Sequence, residues 1–82
     1  MNKTFSVYYN SESPVGMLYI INNDKGVFIS VFPPLDIDKL KRLICSSDFN
    51  MWNRGAPVII GSLVYEFNSY EEFVELYPEE CI

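Results

Sequence analysis

The side chains that most often perform chemistry in proteins are scarce in this chain. It contains no histidine, which removes the commonest general base, the commonest neutral metal ligand and every Ser-His or Cys-His nucleophile pair. Cys45 and Cys81 are the two cysteines, so a four-ligand zinc site within one chain would need two carboxylates, an unusual set. The sequence therefore predicts no catalytic residue, no metal site and no cofactor, and it indicates that the protein is not an enzyme.

The chemistry that remains is carried by carboxylates, and these are unevenly distributed. The chain has six Lys and Arg against eleven Asp and Glu, a net charge of −5. All six bases and five of the acids lie in residues 1–54, whereas residues 55–82 contain six glutamates and no base. A helix beginning near residue 70 would direct four of these glutamates outward: Glu71, Glu72, Glu75 and Glu79.

Two interpretations of this acidic helix stay open. It is either a solvated face that keeps a small protein soluble, or an anionic patch that docks on a basic groove of a protein partner, such as a nucleic-acid-binding enzyme. Direct binding of nucleic acid is disfavoured, because phosphates repel a chain of net charge −5.

A second candidate surface is the segment 48–57, which follows neither the helical nor the strand period. It contains four large or interface-prone side chains: Phe49, Met51, Trp52 and Arg54. Trp, Met and Arg are enriched at the cores of protein interfaces. Either these residues contact a partner, or Phe49 and Trp52 fill the open end of a small sheet.

The apolar pattern predicts the elements that must position these residues. Residues 3–9 alternate as a half-buried strand does. Residues 15–21 and 27–32 are apolar on both faces, as is typical of central strands. The segment 22–26 between them predicts a hairpin turn with Gly26 in the left-handed conformation. Residues 58–67 return to strand character, as one strand with a bulge at Gly61 or as a hairpin that turns at Gly61-Ser62.

Two short helices complete the prediction. Asp36 is a predicted N-cap for a helix over 37–46 that buries Ile37, Leu40, Leu43 and Ile44, with Cys45 as a small core residue. Ser69 and Glu72 form an S-x-x-E capping box that begins a second helix, with Tyr70, Phe73, Val74 and Tyr77 directed inward.

The whole chain of 82 residues is predicted to form a single α+β domain. Its order is β-β-β-α-β(-β)-α, with a mainly antiparallel sheet of four to five strands and both helices on one face. Thirteen aromatic residues supply the core of so short a chain. The sequence shows no secretory signal and no membrane-spanning run, so we expect a cytoplasmic protein with two free thiols. The alternative is a mature secreted fragment with one disulfide between Cys45 and Cys81.

These observations favour a binding function. Residues with A/T-rich codons make up 34 of the 82 positions, and a small acidic chain with no enzymatic residues is typical of phage or mobile-element proteins. We expect an inhibitor or modulator of a host macromolecule, present as a monomer or a small homo-oligomer. The alternative is an assembly subunit that forms a homo-oligomer through a sheet edge or the aromatic loop.

Overall fold

The computed structural model describes residues 3–11, 16–46, 50–55 and 61–81 of the chain. Within these ranges it contains one five-stranded sheet and two α-helices. The strands are β1 (Phe5–Asn10), β2 (Met17–Asn22), β3 (Val27–Val31), β4 (Asn53–Arg54) and β5 (Ser62–Phe67). The helices are α1 (Ile37–Cys45) and α2 (Tyr70–Leu76), followed by a 3-10 helix (Pro78–Cys81). This confirms the α+β prediction.

The sheet is antiparallel throughout, in the order β4-β3-β2-β1-β5. Strands β1 to β3 form a meander, because each is joined to the next by a short connection. Strand β5 returns across the molecule to pair with β1. Strand β4 was not expected, since it lies in the segment that follows neither period.

Strand β5 forms the second part of the segment 58–67, which the sequence predicts to be one strand or a hairpin. Residues 56–60 lie outside the described part of the chain, and β5 begins at Ser62. Its register against β1 shifts at Val64, because Tyr65 pairs with Val7 while Leu63 pairs with Tyr8. Within β5 the irregularity is therefore one extra residue at Val64, whereas the predicted bulge or turn at Gly61 depends on residues 58–60, which lie outside the described residues.

The turn between β2 and β3 forms as predicted. The Asn22 side-chain oxygen accepts hydrogen bonds from the backbone N–H groups of Asp24 and Lys25, each at 3.0 Å. Gly26 has a φ of 67°, the left-handed conformation that glycine adopts without steric cost.

Helix α1 begins at the predicted cap. The Asp36 carboxylate accepts hydrogen bonds from the backbone N–H groups of Asp38 at 2.9 Å and Lys39 at 3.2 Å. Leu40 and Ile44 are buried. The prediction of Cys45 as a core residue is wrong: its thiol is free and exposed, because one further residue turns the side chain about 100° away from the buried stripe.

Helix α2 also begins at its predicted cap, with one difference. The Ser69 hydroxyl accepts a hydrogen bond from the Glu72 N–H at 3.2 Å. The Glu72 carboxylate accepts one from the N–H of Asn68 at 2.5 Å, and not from Ser69 as a capping box predicts. The helix buries Phe73 with Tyr70 and Tyr77 beside it, whereas Val74 is exposed and not inward.

Both helices pack on the same face of the sheet. The pairing register places the following residues on this core face: Phe5, Val7, Leu18, Ile20, Val27, Val31, Tyr65 and Phe67. Leu40 and Ile44 of α1 and Phe73 of α2 belong to the same buried cluster. The helices of the described chain fall short of the length and apolar character needed to cross a membrane.

Candidate functional site

The predicted acidic residues lie in the unit formed by β5, α2 and the 3-10 helix. Glu71 and Glu75 are exposed on the side of α2 away from the sheet. Glu79 is exposed in the 3-10 helix and not in α2 as predicted. Glu80, beside it, is also exposed. We call these four residues, Glu71, Glu75, Glu79 and Glu80, the acidic surface.

Glu72 differs from the acidic surface because its charge is used within the fold. One carboxylate oxygen lies 2.7 Å from the Lys3 ammonium group, and the other accepts the Asn68 N–H. These bonds hold the pKa of Glu72 below its usual value, with the Lys3 hydrogen bond as the main cause. The same hydrogen bond raises the pKa of Lys3. Glu72 therefore joins the beginning of the chain to the start of α2.

Tyr65 connects the aromatic core to the acidic surface. Its ring packs edge-on against Phe73, with centroids 5.3 Å apart, and against Tyr77 at 4.7 Å. Burial raises the pKa of Tyr65, and the negative charge of Glu80, to which its hydroxyl is hydrogen bonded, raises it further. Tyr65 therefore lies between the aromatic core and the carboxylate of Glu80.

The structure buries Trp52, the main residue of the predicted partner-binding loop 48–57. Trp52 is 6% exposed and belongs to the buried core, so it offers almost no surface to a partner. Met51 is 79% exposed, and Arg54 is exposed in β4. Phe49 lies outside the described residues. Of the predicted contact residues in this loop, Met51 and Arg54 are the ones placed at the surface.

The structure does not bring the two predicted surfaces together. Arg54 lies in β4 and the acidic surface follows β5, and these strands form opposite edges of the sheet. Four strand spacings of about 4.8 Å place the edges about 19 Å apart. Strand β5 pairs with β1, so Arg54 and the acidic surface are associated with different edges of the sheet.

Comparisons with family models, with curated proteins and with solved structures give no match to this chain. Among the described residues, no group of three or more acidic or cysteine side chains could hold a metal ion. The exposed thiol of Cys45 lies on the polar side of α1, next to Arg42 and Lys41.

A cleft of about 200 Å³ lies where α1 meets the end of β3 and the segment that follows it. Ile20, Leu40 and Leu43 line it, and Phe32, which is 67% exposed, stands at its rim. Asp36 borders the cleft, but its carboxylate already accepts two helix N–H groups. The second polar residue at the cleft is Lys39 of α1.

The sequence analysis missed the second face of the sheet. The pairing register places six large side chains there: Tyr8, Met17, Tyr19, Ile21, Phe28 and Leu63. Leu63 is 47% exposed, and the other five are half-buried. None of the six belongs to the core cluster, and both described helices pack on the opposite face. We call these six residues the open face.

The signal for the open face was present in the sequence. Residues 15–21 and 27–32 are apolar on both sides, which is typical of strands covered on both faces. Two short helices cover one face only. The two predictions together therefore indicated a second apolar face on which neither predicted helix packs.

Proposed function

We propose that this chain is a non-enzymatic binding protein that inhibits or modulates a macromolecule through its acidic surface. The observation that supports the proposal is a group of exposed glutamates that form no ion pair within the described fold. In the described part of the chain, Glu72 has a basic partner in Lys3, whereas Glu71, Glu75, Glu79 and Glu80 have no ion pair and face solvent.

The fitting partner is a protein with a basic groove, such as an enzyme whose groove holds nucleic acid. Four carboxylates without an ion-pair partner, in α2 and the 3-10 helix that follows it, attract a positively charged surface and raise the rate of encounter. The free thiol of Cys45 suits a reducing compartment, which supports the cytoplasm, or the host cytoplasm for a phage protein, as the site of action.

The experiment is affinity capture from extracts of the native host with the wild-type chain as bait, followed by kinetics on the captured partner. The triple variant Glu71→Lys, Glu75→Lys, Glu79→Lys should slow association by about tenfold or more at low salt, because steering depends on the sign of the charge. Elution of the partner by nucleic acid would support a basic groove.

The single variant Glu75→Lys changes the net charge by +2, and its matched control is Asp38→Lys, which makes the same change on an exposed residue of α1. The control should leave the association rate within about twofold of wild type. If the triple variant associates as fast as the control at low salt, the acidic surface is only solvated and the proposal fails.

A further inference from the structure

The cleft where α1 meets the end of β3 combines apolar walls with two opposite charges. We propose that this cleft binds a zwitterionic small molecule, a free amino acid with a large apolar side chain. The inference goes beyond the proposed function, because the cleft borders α1 and includes none of the four residues of the acidic surface.

The apolar part of the cleft has room for one large side chain. Its bottom is formed by core residues, Ile20 of β2 and Leu40 of α1, which are fully buried. The surface that a ligand meets therefore belongs to the walls, where Phe32 is 67% exposed and Leu35 and Leu43 are half-buried. A cavity of about 150 Å³ is enough to bind benzene. The volume of about 200 Å³ in this cleft therefore accommodates an aromatic ring.

Local sequence holds these walls in place. Pro33 and Pro34 follow Phe32 directly, and a proline ring restricts φ to a narrow range. The Asp36 cap then fixes the start of α1 through its two hydrogen bonds to backbone N–H groups. A site that is formed before its ligand arrives loses less conformational freedom on binding.

Two oppositely charged residues of α1 and its cap border the cleft. Asp36 and Lys39 are three positions apart, and both are exposed. Residues at this spacing lie close enough to interact, yet the structure contains no ion pair between them. Among the described residues, the Lys39 ammonium group has neither an ion pair nor a hydrogen bond.

Asp36 keeps one carboxylate oxygen for a ligand. The N–H groups of Asp38 and Lys39 both donate to its Oδ1, and no group in the described part of the chain donates to its Oδ2. The ammonium group of an amino acid can donate to this Oδ2, while its carboxylate accepts from Lys39 Nζ. Its side chain then lies between Phe32 and Leu43.

The two charges distinguish this ligand from other occupants. A simple carboxylic acid would pair with Lys39 but leave Asp36 unpaired beside its own negative charge. An amine would leave Lys39 unpaired, and an uncharged side chain of a protein partner would use the walls alone. Charge complementarity therefore favours a zwitterion. Because both charged groups are exposed to water, we expect weak binding, with a Kd of about 1 mM.

A titration of the intact chain with L-phenylalanine at neutral pH, followed by amide NMR, tests the proposal. The shift changes should concentrate in residues 32–43 and saturate with a Kd of about 1 mM. Glycine has both charges without the side chain, and N-acetyl-L-phenylalaninamide has the side chain without the charges. Each should bind about tenfold more weakly than L-phenylalanine.

Three results of this titration would overturn the proposal. The first is the absence of saturation at about 20 mM L-phenylalanine, well above the expected Kd. The second is a set of shift changes centred outside residues 32–43. The third is equal binding of N-acetyl-L-phenylalaninamide, which would make an uncharged side chain of a protein the occupant.

Two conservative variants test the two charges separately. Lys39→Gln should weaken L-phenylalanine and 3-phenylpropionate by about threefold to fivefold, and leave phenethylamine, which has no carboxylate, unchanged. Asp36→Asn keeps the helix cap, since asparagine caps equally well. It should weaken L-phenylalanine and phenethylamine by a similar factor, and leave 3-phenylpropionate, which has no ammonium group, no weaker.

The matched control is Lys25→Gln, which removes the same charge from an exposed residue of the turn between β2 and β3. It should leave the binding of all three ligands unchanged. If Lys39→Gln or Asp36→Asn weakens all three ligands equally, or if neither weakens L-phenylalanine more than the control does, the charges do not hold the ligand and the proposal fails.

Discussion

At the scale of single residues, burial decides what a large side chain can do for the protein. Tryptophan is a residue type that is enriched at protein interfaces, but Trp52 lies in the core with Phe67 and Phe73. Met51, its neighbour, is 79% exposed. Adjacent residues in an irregular segment point in different directions, and neither a helical nor a strand period is available to assign those directions beforehand.

Trp52→Ala should therefore destabilise the protein rather than weaken a contact with a partner. We expect a loss of about 3–5 kcal/mol in the free energy of unfolding, since a buried aromatic side chain is removed and a cavity remains. Denaturant titration measures the loss, and Met51→Ala is the matched control, with an expected change within about 0.5 kcal/mol. Equal midpoints for the two variants would contradict the burial of Trp52.

The pair formed by Lys3 and Glu72 should give stability a defined dependence on pH. The pKa of Glu72 is lowered in the folded state, so its contribution is present above its usual value of 4.5 and is lost as the pH falls through the lowered pKa. The pKa of Lys3 is raised, so its contribution is present below 10.5 and is lost as the pH rises through the raised pKa.

The variant Glu72→Gln tests this dependence. Its urea midpoint should lie below that of wild type between about pH 5 and 10, and the two midpoints should converge at acidic pH, where the wild-type carboxylate is protonated in both states. Glu71→Gln, at an exposed neighbouring position of α2, should follow wild type across the range. A constant difference between Glu72→Gln and wild type down to pH 2 would show that the ion pair is not the cause.

At the scale of elements, the helix caps are the features that the sequence predicts best. Asp36 and Ser69 each accept N–H groups within the next three residues, so the interaction depends on local sequence alone. The Asn22–Gly26 turn is local in the same way. Such contacts need no knowledge of the rest of the fold.

Long-range pairing explains what the sequence did not predict. The return of β5 to β1 brings Phe67 beside Phe5, 62 positions apart along the chain. This pairing separates Arg54 from the acidic surface and leaves β4 at the other edge. The exposure of Glu71 and Glu75 could be predicted because it depends on the helical period of α2 alone. The burial of Trp52 could not, because it depends on distant residues.

Ser69→Ala tests the cap of α2 directly. The hydroxyl accepts the Glu72 N–H, and its removal leaves that donor without its partner at the start of the helix. We expect a loss of about 0.5–2 kcal/mol in the free energy of unfolding. Ser69→Asn should retain most of the stability, because asparagine is an equally good cap. Identical denaturant midpoints for Ser69→Ala and wild type would show that the cap contributes nothing.

At the scale of the whole molecule, an aromatic cluster compensates for the short chain. Phe73 of α2 packs edge-on against Phe67, with ring centroids 5.1 Å apart, and against Tyr65 at 5.3 Å. Phe67 in turn stacks on Phe5 at 5.5 Å. Large rings bury much area for each ordered residue, so one cluster joins both ends of the chain and the last helix.

This source of stability leads to a prediction about the intact protein. If aromatic packing is sufficient, thermal unfolding should need neither a metal nor a disulfide, and chelator or reductant should change Tm by less than about 2 °C. A structural disulfide contributes about 2–5 kcal/mol, and each kcal/mol shifts the Tm of a domain this size by about 4–8 °C. The thiol of Cys45 is free and exposed, so Cys45→Ser should melt at the wild-type temperature with and without reductant. A fall of more than about 10 °C on reduction of the wild type, absent in Cys45→Ser, would show that a bridge from Cys45 stabilises the fold and would also contradict a reducing compartment.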